Sequence, residues 1–199
     1  MLKLLIATTN QGKVQEIIQL FRMYKLDGFQ VQSLQGFSIE ECDEPFDTFM
    51  DNAKHKAQYY AQETNCITLA DDSGLCIHGL GGFPGVKTKD FLEACGSSEA
   101  AFQTLQEKME GVTDHQALFH TALALYFPQD KSFITTEGQA CGCITFPPRG
   151  KEGFGFDPIF TPEGFEHTYA ELGAHIKNQH SHRAQALQKL VKKLQCLQT

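Results

Sequence analysis

The chain has 199 residues, 41% of them hydrophobic, with a formal net charge of −7. That is enough to bury a proper core within one domain spanning 1–199, and the acidic balance argues against broad nucleic-acid or anionic-membrane binding. No run of about 18 apolar residues exists to span a membrane, and the opening MLKLLIATTN turns polar too soon for a signal peptide. The seven cysteines (42, 66, 76, 95, 141, 143 and 196) form no CxxC pair. Reduced thiols of a cytoplasmic protein are therefore expected, rather than a disulfide framework or a zinc site.

In chain order, KLLIAT at 3–8 reads as a buried strand and TNQGK as a turn. Val14 to Met23 follows as a helix with Val14, Ile17, Ile18, Leu20 and Phe21 apolar. A strand is expected around 29–34, then a helix over 48–64 whose Phe49, Ala53, Ala57, Tyr60 and Ala61 recur at helical spacing. On a neighbouring face Thr48, Asn52 and Lys56 stack at i, i+4 and i+8. CITLA at 66–70 reads as a short buried strand ending at Asp71-Asp72. Ser97 or Ser98 caps a helix to about Met109, and 117–127 and 132–145 read as a hairpin-like pair of strands. A last helix from His182 to Leu197 places Leu187, Leu190, Val191, Leu194 and Leu197 on one face. The order is mixed α/β, and a mixed sheet with helices around it is expected.

Five stretches could carry chemistry. TTNQGKVQEI leads from a strand end through a small polar loop into a helix bearing Lys13. Helix-start N–H groups, hydroxyls and a lysine make a phosphate cradle, although an ordinary turn with a solvated lysine reads the same way and no P-loop pattern is present. Asp71-Asp72-Ser73-Gly74 sits where ligands lie in α/β sheets. Adjacent carboxylates there repel unless a divalent cation shares them, and extended backbone turns only one of the two toward it. A second metal ligand could come from Glu40, Glu41, Asp43, Glu44 or Asp47, among which composition does not choose. Lys177, His180, His182 and Arg183 place cations at the entrance to the last helix, against its dipole. Finally, GKEGFGFDPIF at 150–160 packs three glycines, three phenylalanines and one aspartate into a single turn of chain. Flat rings and bare backbone amides beside one carboxylate suit a purine: a stacking wall, an open edge and an acceptor for a ring N–H.

Six motifs in order, TTNQGKVQE (8–16), DTFMDNAKHKA (47–57), ADDSGL (70–75), LGGFPG (80–85), GFGFDPIF (153–160) and SHRAQAL (181–187), resemble the inosine triphosphate pyrophosphatases, the non-canonical purine nucleoside triphosphate pyrophosphatases. The resemblance runs from Ala7 almost to the C-terminus. It implies an α/β fold with a mixed, elongated central β-sheet flanked by helices, two lobes with the nucleotide cleft between them, and a homodimer. It implies that Thr8, Thr9, Asn10, Gln11, Gly12 and Lys13 hold the triphosphate together with Lys56. Glu44, four residues before Thr48-Phe49, becomes the Mg²⁺ ligand; Asp72 becomes proton acceptor and second Mg²⁺ ligand, and Ser73 a substrate contact. Phe154, Gly155, Phe156, Asp157, Lys177, His182 and Arg183 match the nucleobase end. PGVKTKDF at 84–91 departs from the common bacterial Ser-Ala-Arg-Tyr ending, and Lys89 is the basic residue standing in for it. The implied activity is Mg²⁺-dependent hydrolysis of ITP, dITP and XTP to the monophosphate and pyrophosphate. The rivals are a related pyrophosphatase for pyrimidine or modified nucleotides and a nucleotide sensor without turnover.

Overall fold

The computed structural model describes residues 2–26 and 28–196. Leu4, Leu5, Ile6 and Ala7 are all fully buried, so the first strand, β1 (Leu2–Ala7), has to be an inner one covered on both faces. It pairs in parallel with β2 (Phe29–Ser33), Leu4 opposite Val31, and with β3 (Ile67–Ile77), Leu4 opposite Ile67. The remaining strands are β4 (Gln116–Phe127), β5 (Ser132–Ile144) and the short β6 (Phe160–Pro162), which is antiparallel to β5. Hydrogen bonding runs in the order β2-β1-β3-β4-β5-β6, a mixed six-stranded sheet. The helices are α1 (Gln11–Met23), α2 (Phe49–Thr64), α3 (Thr88–Cys95), α4 (Ser98–Lys108), α5 (Tyr169–His180) and α6 (His182–Cys196). None of them is long and apolar enough to cross a membrane.

The chain divides into two compact units, each built from discontinuous segments: Met1–Asp72, Thr121–Gly138 and Arg183–Thr199 in the first, Ser73–His120 and Gln139–His182 in the second. Each has its own core. In the first, the α1 stripe Val14, Ile17, Leu20 and Phe21 and the α6 stripe Ala184, Leu187 and Leu190 bury against Leu4, Ile6, Leu69, Leu123 and Leu125. Each such leucine, once buried, is worth about 1.5–3 kcal/mol. The second core is aromatic, joining Phe102, Phe119, Phe156, Phe160 and Tyr169 to Leu75, Ile77 and Leu105.

Two sequence expectations change. The third strand does not stop at Asp71-Asp72 but continues through Ser73 and Gly74 to Ile77. The turn preference of Asp-Asp-Ser-Gly is overridden because both aspartates find cationic partners, Lys13 and Arg183 for Asp71 and Lys56 for Asp72, and Leu75 and Ile77 then enter the second core. Lys177 does not open the last helix but belongs to α5, which begins in a capping box between Thr168 and Glu171 and is interrupted at Gly173 (φ 76°, ψ 172°). Leu197, expected on the apolar face of α6, lies outside the described residues.

Candidate functional site

In the first unit the loop from Thr8 to Lys13 is shaped by its own side chains. Thr8 Oγ1 accepts from the Asn10 amide at 3.2 Å, and Asn10, the N-cap of α1, accepts from the Lys13 amide at 3.1 Å. The helix therefore starts at Gln11 with Lys13 on its first turn. Lys13 Nζ lies 2.6 Å from Asp71 Oδ1. Asp71 Oδ2 also accepts from Thr121 Oγ1 at 2.7 Å and from Arg183 Nε at 2.9 Å. Arg183 reaches Glu16 on α1 with its other arm. Burial works against an Asp71 carboxylate, yet Arg183 and Lys13 outweigh it and hold the group well below the usual carboxylate range.

Lys56, on the buried face of α2, spends its donors on Glu44 Oε1 at 2.5 Å and the Asp71 carbonyl at 2.8 Å, with Asp72 Oδ1 at 3.5 Å. Burial disfavours this ammonium, but Asp72 and Glu44 prevail and its pKa is raised. Glu44 is presented by a segment that Asn52 grips through the Phe46 amide (2.9 Å) and the Phe46 carbonyl (3.0 Å). So the acidic stretch converges on Lys56 through Glu44, while Asp43 turns to His55 (3.0 Å) and Glu41 to Thr9 (3.3 Å). Asp72 is 4% exposed, and its Oδ2 is buried with no hydrogen-bond partner among the described residues. Burial is the main cause that raises the Asp72 pKa. Two carboxylates that meet on the Lys56 ammonium, one of them with a second, orphaned oxygen, are the hard oxygen donors that Mg²⁺ takes.

In the second unit, Asp157 Oδ2 accepts from the Phe154 amide at 2.9 Å and from Lys177 Nζ at 2.7 Å. The same ammonium lies 4.2 Å from the Phe154 ring centroid. Gly153 is required for the turn: its φ is +81°, and a Cβ there would sit 2.1 Å from Asp157 Oδ2. Phe156, expected as a wall for a base, is instead a core residue, 2% exposed and packed on Phe91 and Phe102. The burial that the aromatic core demands claims its ring, while Phe154 stays half-buried. His182 stacks on Phe119 with centroids 4.9 Å apart and planes within 13°. Ser73 follows Asp72 along β3, and Lys89 sits on α3 at 4.0 Å from Glu93 in an i,i+4 pair.

The expected residues thus fall into two sets, a cation–carboxylate cluster (Lys13, Glu44, Lys56, Asp72, Arg183) and an aromatic–carboxylate loop (Phe154 to Asp157 with Lys177). Arg183 belongs to the first, where its guanidinium holds Asp71 and Glu16. Glu16, the last residue of the motif TTNQGKVQE, is given no role of its own by the sequence reading, and Thr121 lies outside the motifs. Glu16 offers a signal, a carboxylate beside the apolar stripe of α1 and 7% exposed; Thr121 offers none.

The family model for the Ham1 family matches residues 4–193. A protein from Verminephrobacter eiseniae named dITP/XTP pyrophosphatase is 37% identical, the match covering 96% of each chain. One of the same name from Bacillus anthracis is 38% identical over 98% of this chain and 96% of its own. Among solved structures, a HAM1 protein from Coxiella burnetii superposes with a TM-score of 0.86 at 34% identity, covering 98% of this chain and 99% of that one. A dITP/XTP pyrophosphatase from Mycobacterium abscessus gives 0.76 at 33%, covering 97% and 100%. A match this long in sequence and in backbone leaves one conclusion: the chain belongs to the Ham1 family.

Proposed function

We propose that this protein hydrolyses the non-canonical purine nucleoside triphosphates ITP, dITP and XTP to the monophosphate and pyrophosphate, clearing them from the cytoplasmic nucleotide pool. The names of its relatives support the reaction class. The observation that carries it is Asp72, a buried carboxylate with an orphaned oxygen beside Glu44 and Lys56. Glu44 and Asp72 would hold Mg²⁺, which when bound supplies charge neutralisation at the phosphate oxygens.

The chain's own residues account for the rest. Asp72, its pKa raised by burial, takes the proton of the water that attacks the α-phosphorus. The new O–P bond forms as the bond to the pyrophosphate oxygen breaks, and Lys13 and Lys56 face the negative charge that leaves. Thr8, Thr9 and Asn10 of the preceding loop, with Gln11 and Gly12 of the first turn of α1, position the phosphates through backbone N–H groups. Ser73 and Lys89 are assigned to substrate on the resemblance. Phe154 supplies the face for the base, Gly155 its open edge, and Asp157, Lys177 and His182 the polar readers, with Arg183, whose guanidinium holds Asp71 and Glu16, assigned to the base on the resemblance alone. A donor waiting for a 6-oxo group is left unpaired by adenine's amino group, a penalty of about 1–3 kcal/mol per group.

The test is an ITP assay with and without Mg²⁺, quantifying IMP and pyrophosphate in equal amounts, beside a panel of dITP, XTP, ATP, GTP and pyrimidine triphosphates. Orthophosphate as product, or a pyrimidine as best substrate, overturns the proposal; ITP binding without turnover would make the protein a sensor. The resemblance also implies a homodimer, for which native mass should give twice the chain mass.

A further inference from the structure

Immediately before Glu44 in sequence stand Cys42 and Asp43, and immediately before Lys56 on α2 stands His55. None of the three has a part in the proposed hydrolysis. The Cys42 thiol, an Asp43 carboxylate oxygen and a His55 ring nitrogen all lie within 4.8 Å of one another. His55 Nε2 is 3.0 Å from Asp43 Oδ1, already about the spacing of two neighbouring ligands on a tetrahedral ion with bonds near 2 Å.

Two of the three positions are held from outside the cluster. The Cys42 amide donates to the Tyr60 hydroxyl of α2 at 3.0 Å. The His55 ring meets Phe46 edge-on, centroids 5.5 Å apart and planes at 70°. Cys42 is buried at 5% exposure while the Asp43 side chain is 79% exposed, so the cluster has a closed floor and a side open to water. A thiolate, an imidazole and one hard carboxylate form a mixed donor set that suits Zn²⁺ and Co²⁺, while its sulfur and nitrogen donors are ones Mg²⁺ does not seek. Three such ligands with a fourth place left for water is a coordination number these ions accept.

We propose that Cys42, Asp43 and His55 form a binding site for a zinc-class transition metal, separate from the oxygen-only pair Glu44 and Asp72, which joins the segment bearing Glu44 to α2. Binding draws the thiol onto the His–Asp pair and releases its proton to solvent. The spacing escapes sequence reading because it contains no CxxC or HxxxH. Cys42 and His55 lie on different elements and meet only when the segment before α2 folds back on it.

Co²⁺ titration of the full chain, carrying Cys141→Ser, Cys143→Ser and Cys196→Ser to silence the exposed thiols and kept in excess Mg²⁺, tests this. One equivalent should bind with a thiolate-to-cobalt charge-transfer band and the visible bands of tetrahedral Co²⁺, and Zn²⁺ should bleach both. Cys42→Ser should abolish the charge-transfer band. His55→Ala, a change on the open side whose fold is checked by melting without metal, should weaken Co²⁺ binding at least ~10-fold and remove any Zn²⁺-induced rise in Tm. Glu44→Gln should leave the band intact. A band that survives Cys42→Ser, binding undiminished in His55→Ala, or a band lost in Glu44→Gln would each overturn the proposal. Because the readout is spectroscopic, failure here is distinguishable from failure of the proposed hydrolase activity.

Discussion

Arg183 shows how a single side chain's surroundings change what its removal should do. The guanidinium is 1% exposed and joins Asp71 to Glu16, so Arg183→Ala takes a charged partner from each of two buried carboxylates and leaves Asp71 leaning on Lys13 and Thr121. Breaking such a pair from one side costs about 3–5 kcal/mol, and thermal melting should show a correspondingly large fall in Tm. If Arg183 also reads the base, the ITP-to-ATP ratio of kcat/KM should shrink ~10-fold or more in the same variant. Glu16→Gln separates the two tasks: it should lower Tm while leaving that ratio unchanged. A ratio unchanged in Arg183→Ala as well would confine the residue to support. At Asp72 the expectation is simpler. Asp72→Asn removes both a buried negative charge and the proton acceptor, so kcat should drop at least ~100-fold with the fold intact; a loss of only a few-fold would move the role to Asp71.

The elements that hold these residues are legible in the sequence where a local signal sets them, and illegible where tertiary contacts do. The 3.6-residue periodicity of 49–61 suffices to read α2 over 48–64, and the helix begins one residue later at Phe49, with Thr48 as its N-cap. Likewise Ser97 caps α4. The capping box of α5, Thr168 to Glu171, is a local signal of the same kind, yet the sequence reading places no helix there and runs straight to the one at His182. By contrast the run of β3 through Asp71 to Gly74 has no local signature, because Lys13, Thr121 and Arg183, distant in sequence, stabilise it. Phe156 is illegible for the same reason, since nothing within GFGFDP says which ring faces the core. Asn52 is the position where element and site meet. It is wholly buried and grips Phe46 through both its amide atoms. Asn52→Ala should cost about 1–3 kcal/mol for the backbone groups left unpaired. It should also raise the Mg²⁺ concentration needed for half-maximal rate, as the segment carrying Glu44 loosens. A normal Mg²⁺ titration in a destabilised variant would show that Asn52 serves α2 alone.

At the scale of the whole molecule the puzzle is electrostatic, because a chain of net charge −7 is proposed to take a triphosphate. The cluster in the first unit does not solve this with free cations. Lys13, Lys56 and Arg183 are already paired with Glu16, Glu44, Asp71 and Asp72, so the carboxylates outnumber the cations. Those pairs keep the lysines charged and in place, but they leave no net positive field to draw a polyanion from water. A divalent cation taken by Glu44 and Asp72 would reverse that balance and free Lys56 for phosphate. Substrate binding, and not turnover alone, should therefore depend on Mg²⁺. With the turnover-deficient Asp72→Asn avoided, since it alters the metal pair, a non-hydrolysable ITP analogue serves as the probe. It should raise Tm when Mg²⁺ is present and leave it unchanged in excess EDTA. Glu44→Gln should shift the Mg²⁺ dependence of that stabilisation to higher concentration, well beyond any shift in Glu40→Gln or Glu41→Gln. Equal stabilisation with and without EDTA would mean that the lysines suffice to hold the triphosphate. Equal shifts in all three glutamate variants would reduce the acidic stretch before α2 to a diffuse field.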